Sequence, residues 1–308
     1  MERVAFLFPG QGTQYPYMGY DIYKNFSCIQ KLYKNAEKIL NFKITEFVFK
    51  ENSQLNDTLY TQPAILLTSI ALYEVIKKEI DISPSAFAGF SLGEYTALYV
   101  SGVFSLVDIL KLIKIRSEAM EKSSTENKGM MSAVLGSSYE EMLSICEKNN
   151  TYIANYNSLN QLVISGTNEN MEKTIVDLHN AGIRKVLPLK VSGAFHSPLM
   201  NKAAETIYEE VRNMNYFVPV APLIMNATAK PLEIIELPEL MKKQMTHTVF
   251  FYDSIKMMIN QLGITTFIEI GPGKVLTNLV KRIDSKVTCY SVENLEDINN
   301  LKKELDLC

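Results

Sequence analysis

Cysteine, histidine and net charge are all scarce in this chain of 308 residues, and long apolar runs are missing. The four cysteines, Cys28, Cys146, Cys289 and Cys308, stand far apart with no C-x-x-C or other metal-ligand spacing. That spacing excludes a disulfide framework or a structural zinc site as the organising device, and the thiols read as reduced, as in a cytoplasmic protein. Lys and Arg number 31 against 34 Asp and Glu, a balance of −3, so no global field favours nucleic acid or an anionic membrane. An anionic ligand has to be held by a few local cations. The run Ala64 to Tyr73 is broken by Thr and Ser and falls short of the ~18 apolar residues of a membrane span. Val4 to Phe8 is likewise too short for the ~7 to 15 residue core of a signal peptide, and Pro9-Gly10 ends it. What is present is ordinary: hydrophobic residues make up 47% and charged residues 21%, the composition of a globular protein of about two domains.

Arg3 to Phe8 reads as a buried strand that ends in the loop Pro9-Gly10-Gln11-Gly12. Helical periodicity follows over Ile29 to Leu40 and Pro63 to Ile80, and Ser85 to Phe90 is a second strand core. Strands alternating with helices predict an α/β core with a mainly parallel sheet. The middle of the chain changes character. Met130–Leu135, Tyr139–Asn149, Thr151–Tyr156, Leu162–Ser165, Met171–Asn180 and Arg184–Lys190 give the order β-α-β-β-α-β, that of a ferredoxin-like unit. The expected division is therefore a large α/β domain of residues 1–128 and 193–308 with a ferredoxin-like subdomain, 129–192, inserted into it. Beyond it, Ser197-Pro198 opens a helix, and Thr265 to Ile270 with Gly271-Pro272-Gly273 reads as strand, turn and final helix.

Gly89-Phe90-Ser91-Leu92-Gly93 is a G-x-S-x-G pentapeptide between an apolar strand and a helix-prone stretch, the context of a nucleophile elbow. The alternative is a tight turn with an idle serine. On the first reading Ser91 Oγ is exposed at a helix N-terminus, and the Leu92 N–H points where an oxyanion would form. A serine needs a base, and the chain offers only His179, His196 and His247. His179 falls at a helix end and His247 in a polar loop, so both read as solvent-side or structural. His196 stands just before a helix N-terminus, whose dipole keeps an imidazole neutral, and is either the base or a structural histidine. In Ser105 to Lys122, steps of about 100° per residue place Arg116 on one stripe with Ile109, Ile113 and Met120. A permanent cation on an apolar face must meet an anion, either an internal carboxylate or one arriving with a substrate.

These residues resemble the malonyl-CoA:acyl carrier protein transacylases and the related acyltransferases of polyketide synthases. Phe8-Pro9-Gly10-Gln11-Gly12-Thr13-Gln14, Thr61-Gln62-Pro63-Ala64, Ser91-Leu92-Gly93-Glu94-Tyr95, Arg116, Ala194-Phe195-His196-Ser197 and Glu269-Ile270-Gly271-Pro272-Gly273-Lys274-Val275-Leu276 carry the resemblance through nearly the whole chain. It implies a hydrolase-like α/β core with an inserted ferredoxin-like subdomain, Ser91 as nucleophile, His196 as base, Arg116 as ligand of the malonyl carboxylate, and Gln11 and Leu92 as oxyanion amides. It also implies a base oriented by a main-chain carbonyl at Gln244, and a steric limit on the acyl group at Phe195. The implied partners are malonyl-CoA and an acidic, phosphopantetheinylated acyl carrier protein. No metal or tightly bound cofactor is implied, and the enzyme is expected to be a monomer serving fatty acid or polyketide synthesis. The sequence departs from the family at Phe90, where a His is usual, and at Thr248 and Phe251, which replace Pro and Trp. The rival functions are a thioester hydrolase acting on acyl carriers, which has no need of Arg116, and a non-catalytic carrier-docking subunit, which needs neither Ser91 nor His196.

Overall fold

The computed structural model describes residues 3–306; Cys308 lies outside the described residues. Ten strands occur in it: β1 (Val4–Phe8), β2 (Ala86–Gly89), β3 (Gly129–Leu135), β4 (Tyr152–Ser158), β5 (Gln161–Thr167), β6 (Lys185–Pro188), β7 (Leu223–Met225), the two-residue β8 (Lys230–Pro231), β9 (Thr266–Ile270) and β10 (Thr288–Val292). The chain separates into two compact units. The first takes the chain up to Ser117, Asn215–Ile224 and the chain from Met257 on, and the second takes Glu118–Met214 and Met225–Lys256.

In the first unit β10, β9, β1, β2 and β7 lie side by side in that order, all parallel. Every residue of β1, β2 and β9 is buried, as expected for strands covered on both faces. β1 is central, with Phe6 opposite Phe87 on one side and Ile268 on the other. Beside the sheet runs the helix Thr58–Glu79, which starts more than a turn before the expected Pro63. Asp57 stands at its N-cap and Pro63 is accommodated within the helix. This helix is long and apolar enough to cross a membrane by length and composition alone, but its side chains are mostly buried within the protein. The chain also continues past the expected final helix, which spans Val275–Ile283, into β10 and a further helix, Leu295–Asp306.

In the second unit β3, the helix Tyr139–Asn149, β4, β5, the helix Asn168–Asn180 and β6 follow one another. They form an antiparallel sheet in the order β4-β5-β3-β6, the ferredoxin-like arrangement. Its core is Val134, Met142, Cys146, Ile153, Leu162, Ile164, Met171, Leu178 and Ile183. The unit extends beyond 129–192 on both sides, taking in the helices Asn201–Arg212 and Leu237–Thr246. Val249 pairs with the free edge of β4, its N–H donating to the Ala154 carbonyl at 2.9 Å while its own carbonyl accepts from the Tyr156 N–H at 2.9 Å.

Candidate active site

Ser91 stands between β2 and the helix Leu92–Val100 with φ 52° and ψ −104°, a strained conformation for a side-chain-bearing residue. Two glycines make that turn possible. A Cβ on Gly93 would collide with the Phe8 carbonyl, and one on Gly89 with the Gly93 carbonyl group. The turn is closed by the Gly93 N–H donating to the Phe90 carbonyl at 2.9 Å and the Glu94 N–H donating to the Ser91 carbonyl at 3.1 Å. Phe90 itself donates its N–H to the Phe8 carbonyl at 2.9 Å, joining the elbow to the end of β1. Leu92 is the first helical residue, so its N–H has no acceptor within the helix. Gln11 lies in the turn that follows β1, its Nε2 donating to Thr58 Oγ1 at 3.3 Å.

Arg116 comes from the helix Leu106–Glu126 and is only 1% exposed. Its Nη2 donates to Ser91 Oγ at 3.4 Å, and its guanidinium carbon lies 4.9 Å from the centre of the Tyr95 ring. Burial pulls the guanidinium below its ordinary pKa, while Tyr95 and the charge of Glu94 favour the charged form. Tyr95 is in turn pushed up to about 12 by burial, so its hydroxyl keeps its proton. Glu94, wholly buried, is thus an internal carboxylate of the kind left open for Arg116. Glu94 is not singled out by the sequence reading, although a buried acid in the first turn of the apolar helix Leu92–Val100 needs a donor or a cation.

The second unit holds the other candidates. His196 is buried with φ 55°, and its Nδ1 lies 2.8 Å from the Gln244 carbonyl oxygen. A carbonyl can only accept, so Nδ1 carries the proton and Nε2 keeps the lone pair that a base needs. Gln244 is in the last turn of the helix Leu237–Thr246, where carbonyls lack intrahelical donors. The replacements near it sit quietly: Thr248 Oγ1 donates to the Ile153 carbonyl at 2.7 Å, and Phe251 is buried at a helix start. Phe195 is buried, its carbonyl accepting from Ser165 Oγ at 2.8 Å. Ser197 Oγ accepts from the Leu199 N–H at 3.3 Å and donates to the Ala194 carbonyl at 2.6 Å, fixing the chain on both sides of His196. The expected helix begins here with a short 3₁₀ turn, Pro198–Met200. A cavity of about 600 Å³, lined among others by Tyr139, Ile153, His247 and Phe250, reaches His196. His247 is exposed beside it, and His179 falls in the last turn of the helix Asn168–Asn180. Among the described residues no cluster of three His, Cys, Asp or Glu could hold a metal ion.

Ser91, Leu92, Gln11 and Arg116 are therefore held by one unit, and His196, Gln244 and Phe195 by the other. A serine at a nucleophile elbow on a mainly parallel sheet defines an acyl-transfer or hydrolase type of protein. The model of the acyl transferase domain matches residues 5–304, and the chain belongs to that family. More narrowly, it belongs with the malonyl CoA-acyl carrier protein transacylases. It is 37% identical to the enzyme of that name from Bacillus subtilis (strain 168), with 99% of each chain covered. The crystal structure of malonyl CoA-acyl carrier protein transacylase from Clostridium perfringens superposes with a TM-score of 0.94 at 34% identity, covering 99% of this chain and 98% of that one. A malonyl-transacylase solved in complex with its type II polyketide acyl-carrier protein superposes with a TM-score of 0.94 at 29% identity, covering 98% of this chain and 100% of that one.

Proposed function

We infer that this chain is a malonyl-CoA:acyl carrier protein S-malonyltransferase working through a malonyl-serine intermediate. The observation that carries the chemistry is Ser91 Oγ at a strained elbow, 3.4 Å from the buried guanidinium of Arg116. That pairing sets a nucleophile beside a permanent cation able to take a carboxylate bidentately.

His196 Nε2 removes the Ser91 proton as Oγ attacks the malonyl thioester carbonyl. The Gln11 and Leu92 N–H groups hold the tetrahedral oxyanion, and coenzyme A departs with the proton from His196. The phosphopantetheine thiol of an acidic acyl carrier protein then reverses these steps, with His196 again as base. The Gln244 carbonyl keeps the imidazole in the tautomer this needs, Arg116 holds the malonyl carboxylate, and Phe195 limits the bulk of the acyl group. A thioester hydrolase would have no use for Arg116, which is why transfer is preferred over hydrolysis. The reading includes 129–192 as a ferredoxin-like subdomain within the larger second unit, and action as a cytoplasmic monomer in fatty acid or polyketide synthesis.

Brief incubation with malonyl-CoA followed by intact-mass measurement tests it. The wild-type chain gains a malonyl adduct, Ser91→Ala gains none, and His196→Ala acquires it slower by several orders of magnitude. An adduct on Ser91→Ala at the wild-type rate would move the nucleophile elsewhere.

A further inference from the structure

The loop that carries Gln11 is pinned at many points. Thr13 Oγ1 donates to the Gly10 carbonyl at 2.9 Å, Gln14 Oε1 accepts from the Gly12 N–H at 2.8 Å, and Gln14 Nε2 donates to Asn56 Oδ1 at 3.0 Å. Its far end is held from the other end of the sequence. One carboxylate oxygen of Glu293, Oε2, accepts both from the Tyr15 hydroxyl at 3.0 Å and from the Gly273 N–H at 2.9 Å. Gly273 closes the Gly271-Pro272-Gly273 turn, which packs directly on the loop. A Cβ on Gly271 would stand 2.5 Å from Pro9 Cγ, and one on Gly273 would lie 3.6 Å from Thr13 Cβ. The turn and Glu293 are tied to each other as well, since the Gly271 N–H donates to the Val292 carbonyl at 3.0 Å. The Glu293 N–H in turn donates to Asp297 Oδ2 at 3.1 Å. Burial, with the Glu293 charge adding to it, raises the Tyr15 hydroxyl well above its ordinary value, so Tyr15 stays a donor at any working pH.

We propose that Glu293 is a positioning residue for acyl transfer, clamping the Pro9–Tyr15 loop to the Gly271–Gly273 turn so that the Gln11 N–H stays aimed at the oxyanion. The proposal rests on the assignment of Gln11 as an oxyanion donor. Such a donor works only if it is held within about 0.5 Å of the productive position. Loss of one donor outright costs roughly 100-fold to 1000-fold in rate, so loosening the loop that carries it should cost part of that.

In rapid-quench measurements of malonyl-enzyme formation, Glu293→Ala is expected to lower the acylation rate constant about 10-fold to 100-fold while leaving KM for malonyl-CoA within about twofold. Glu293→Gln, whose Oε1 can accept the same two N–H and O–H groups, should recover the rate to within about threefold. Tyr15→Phe breaks only one of the two bonds and should give a smaller fall; it keeps the question answerable if Glu293→Ala does not fold. Gln11→Pro, which removes the N–H itself, separates the two assignments. A wild-type rate in Gln11→Pro would overturn the oxyanion reading and the Glu293 proposal with it. A slow Gln11→Pro beside a Glu293→Ala that melts earlier yet acylates at the wild-type rate would overturn the Glu293 proposal alone and leave Glu293 with stability only. In the Gln11→Pro background, Glu293→Ala should add no further loss, and an undiminished loss there would also overturn the proposal.

Discussion

Arg116 is a permanent charge withdrawn almost wholly from water, and Tyr95 and Glu94 around it are what make that burial tolerable. Glu94 alone could justify the guanidinium, so substrate selectivity has to be tested directly. If Arg116 binds the malonyl carboxylate, a bidentate pair in a dry pocket is worth on the order of 2 to 4 kcal/mol, or about 30-fold to 1000-fold. Arg116→Ala should then depress malonyl-adduct formation by that factor and leave acetyl transfer equal or improved, as read by intact mass with each thioester. An equal fall for both, with circular dichroism unchanged, would assign the cation to Glu94 alone. Ser91, His196 and Arg116 stand out in the sequence because each side chain breaks its local pattern: a serine between glycines, a histidine before a helix, a cation on an apolar stripe. Gln244 could not be read that way. Its contact with His196 is through a main-chain carbonyl, which no side chain announces, and only the family resemblance points to it. Glu293 was equally hidden, since its two donors lie at opposite ends of the chain.

Among the elements, β9 and the helix Val275–Ile283 are joined by Glu269, a buried acid in a wholly buried strand. Its carboxylate accepts from the Leu276 N–H at 3.0 Å and the Thr277 N–H at 2.7 Å, satisfying two of the four donors that a helix start leaves open. Burial raises its pKa above the ordinary 4.5, and those two N–H groups only partly offset this. The folded chain therefore holds the Glu269 proton at pH values where the unfolded chain has lost it. Its contribution to stability is full below about pH 4.5 and declines as pH rises through the raised native value. Thermal melts from pH 4.5 to 7 should show Glu269→Gln destabilised relative to wild type by an amount that shrinks with rising pH. A difference independent of pH would mean that the carboxylate titrates alike in both states. The same part of the chain shows why some elements escape sequence reading. β10 is a partly exposed strand of mixed Thr, Cys, Tyr, Ser and Val with no sustained period, and parallel pairing to β9 makes it a strand. The start of Thr58–Glu79 was misplaced for the opposite reason. Pro63 looks like a first-turn residue, yet the helix is buried on so many sides that packing outweighs the local preference.

Over the whole molecule, the mainly parallel sheet and the βαββαβ unit were legible because both rest on the order of elements, which periodicity reports well. The unit boundaries were less so, because the chain passes between the two units after Ser117, Met214, Ile224 and Lys256, at points without linker composition. Residues 129–192 nonetheless contain a complete nine-residue core of their own. Expressed alone, that segment is expected to melt cooperatively but below the full chain, since it is small and loses the Val249 pairing at the edge of β4. A circular dichroism melt without a cooperative transition would refute its independence as a domain. The central place of β1 has a consequence for the newly made polypeptide. One neighbour, β2, leaves the ribosome soon after it, but the other, β9, begins only at Thr266. At ~5 to 20 residues per second, one edge of β1 waits on the order of 10 to 50 s for its partner. Through that interval the nascent chain carries an unpaired, fully apolar strand edge and an apolar helix, the surfaces that chaperones bind and that aggregate when left uncovered.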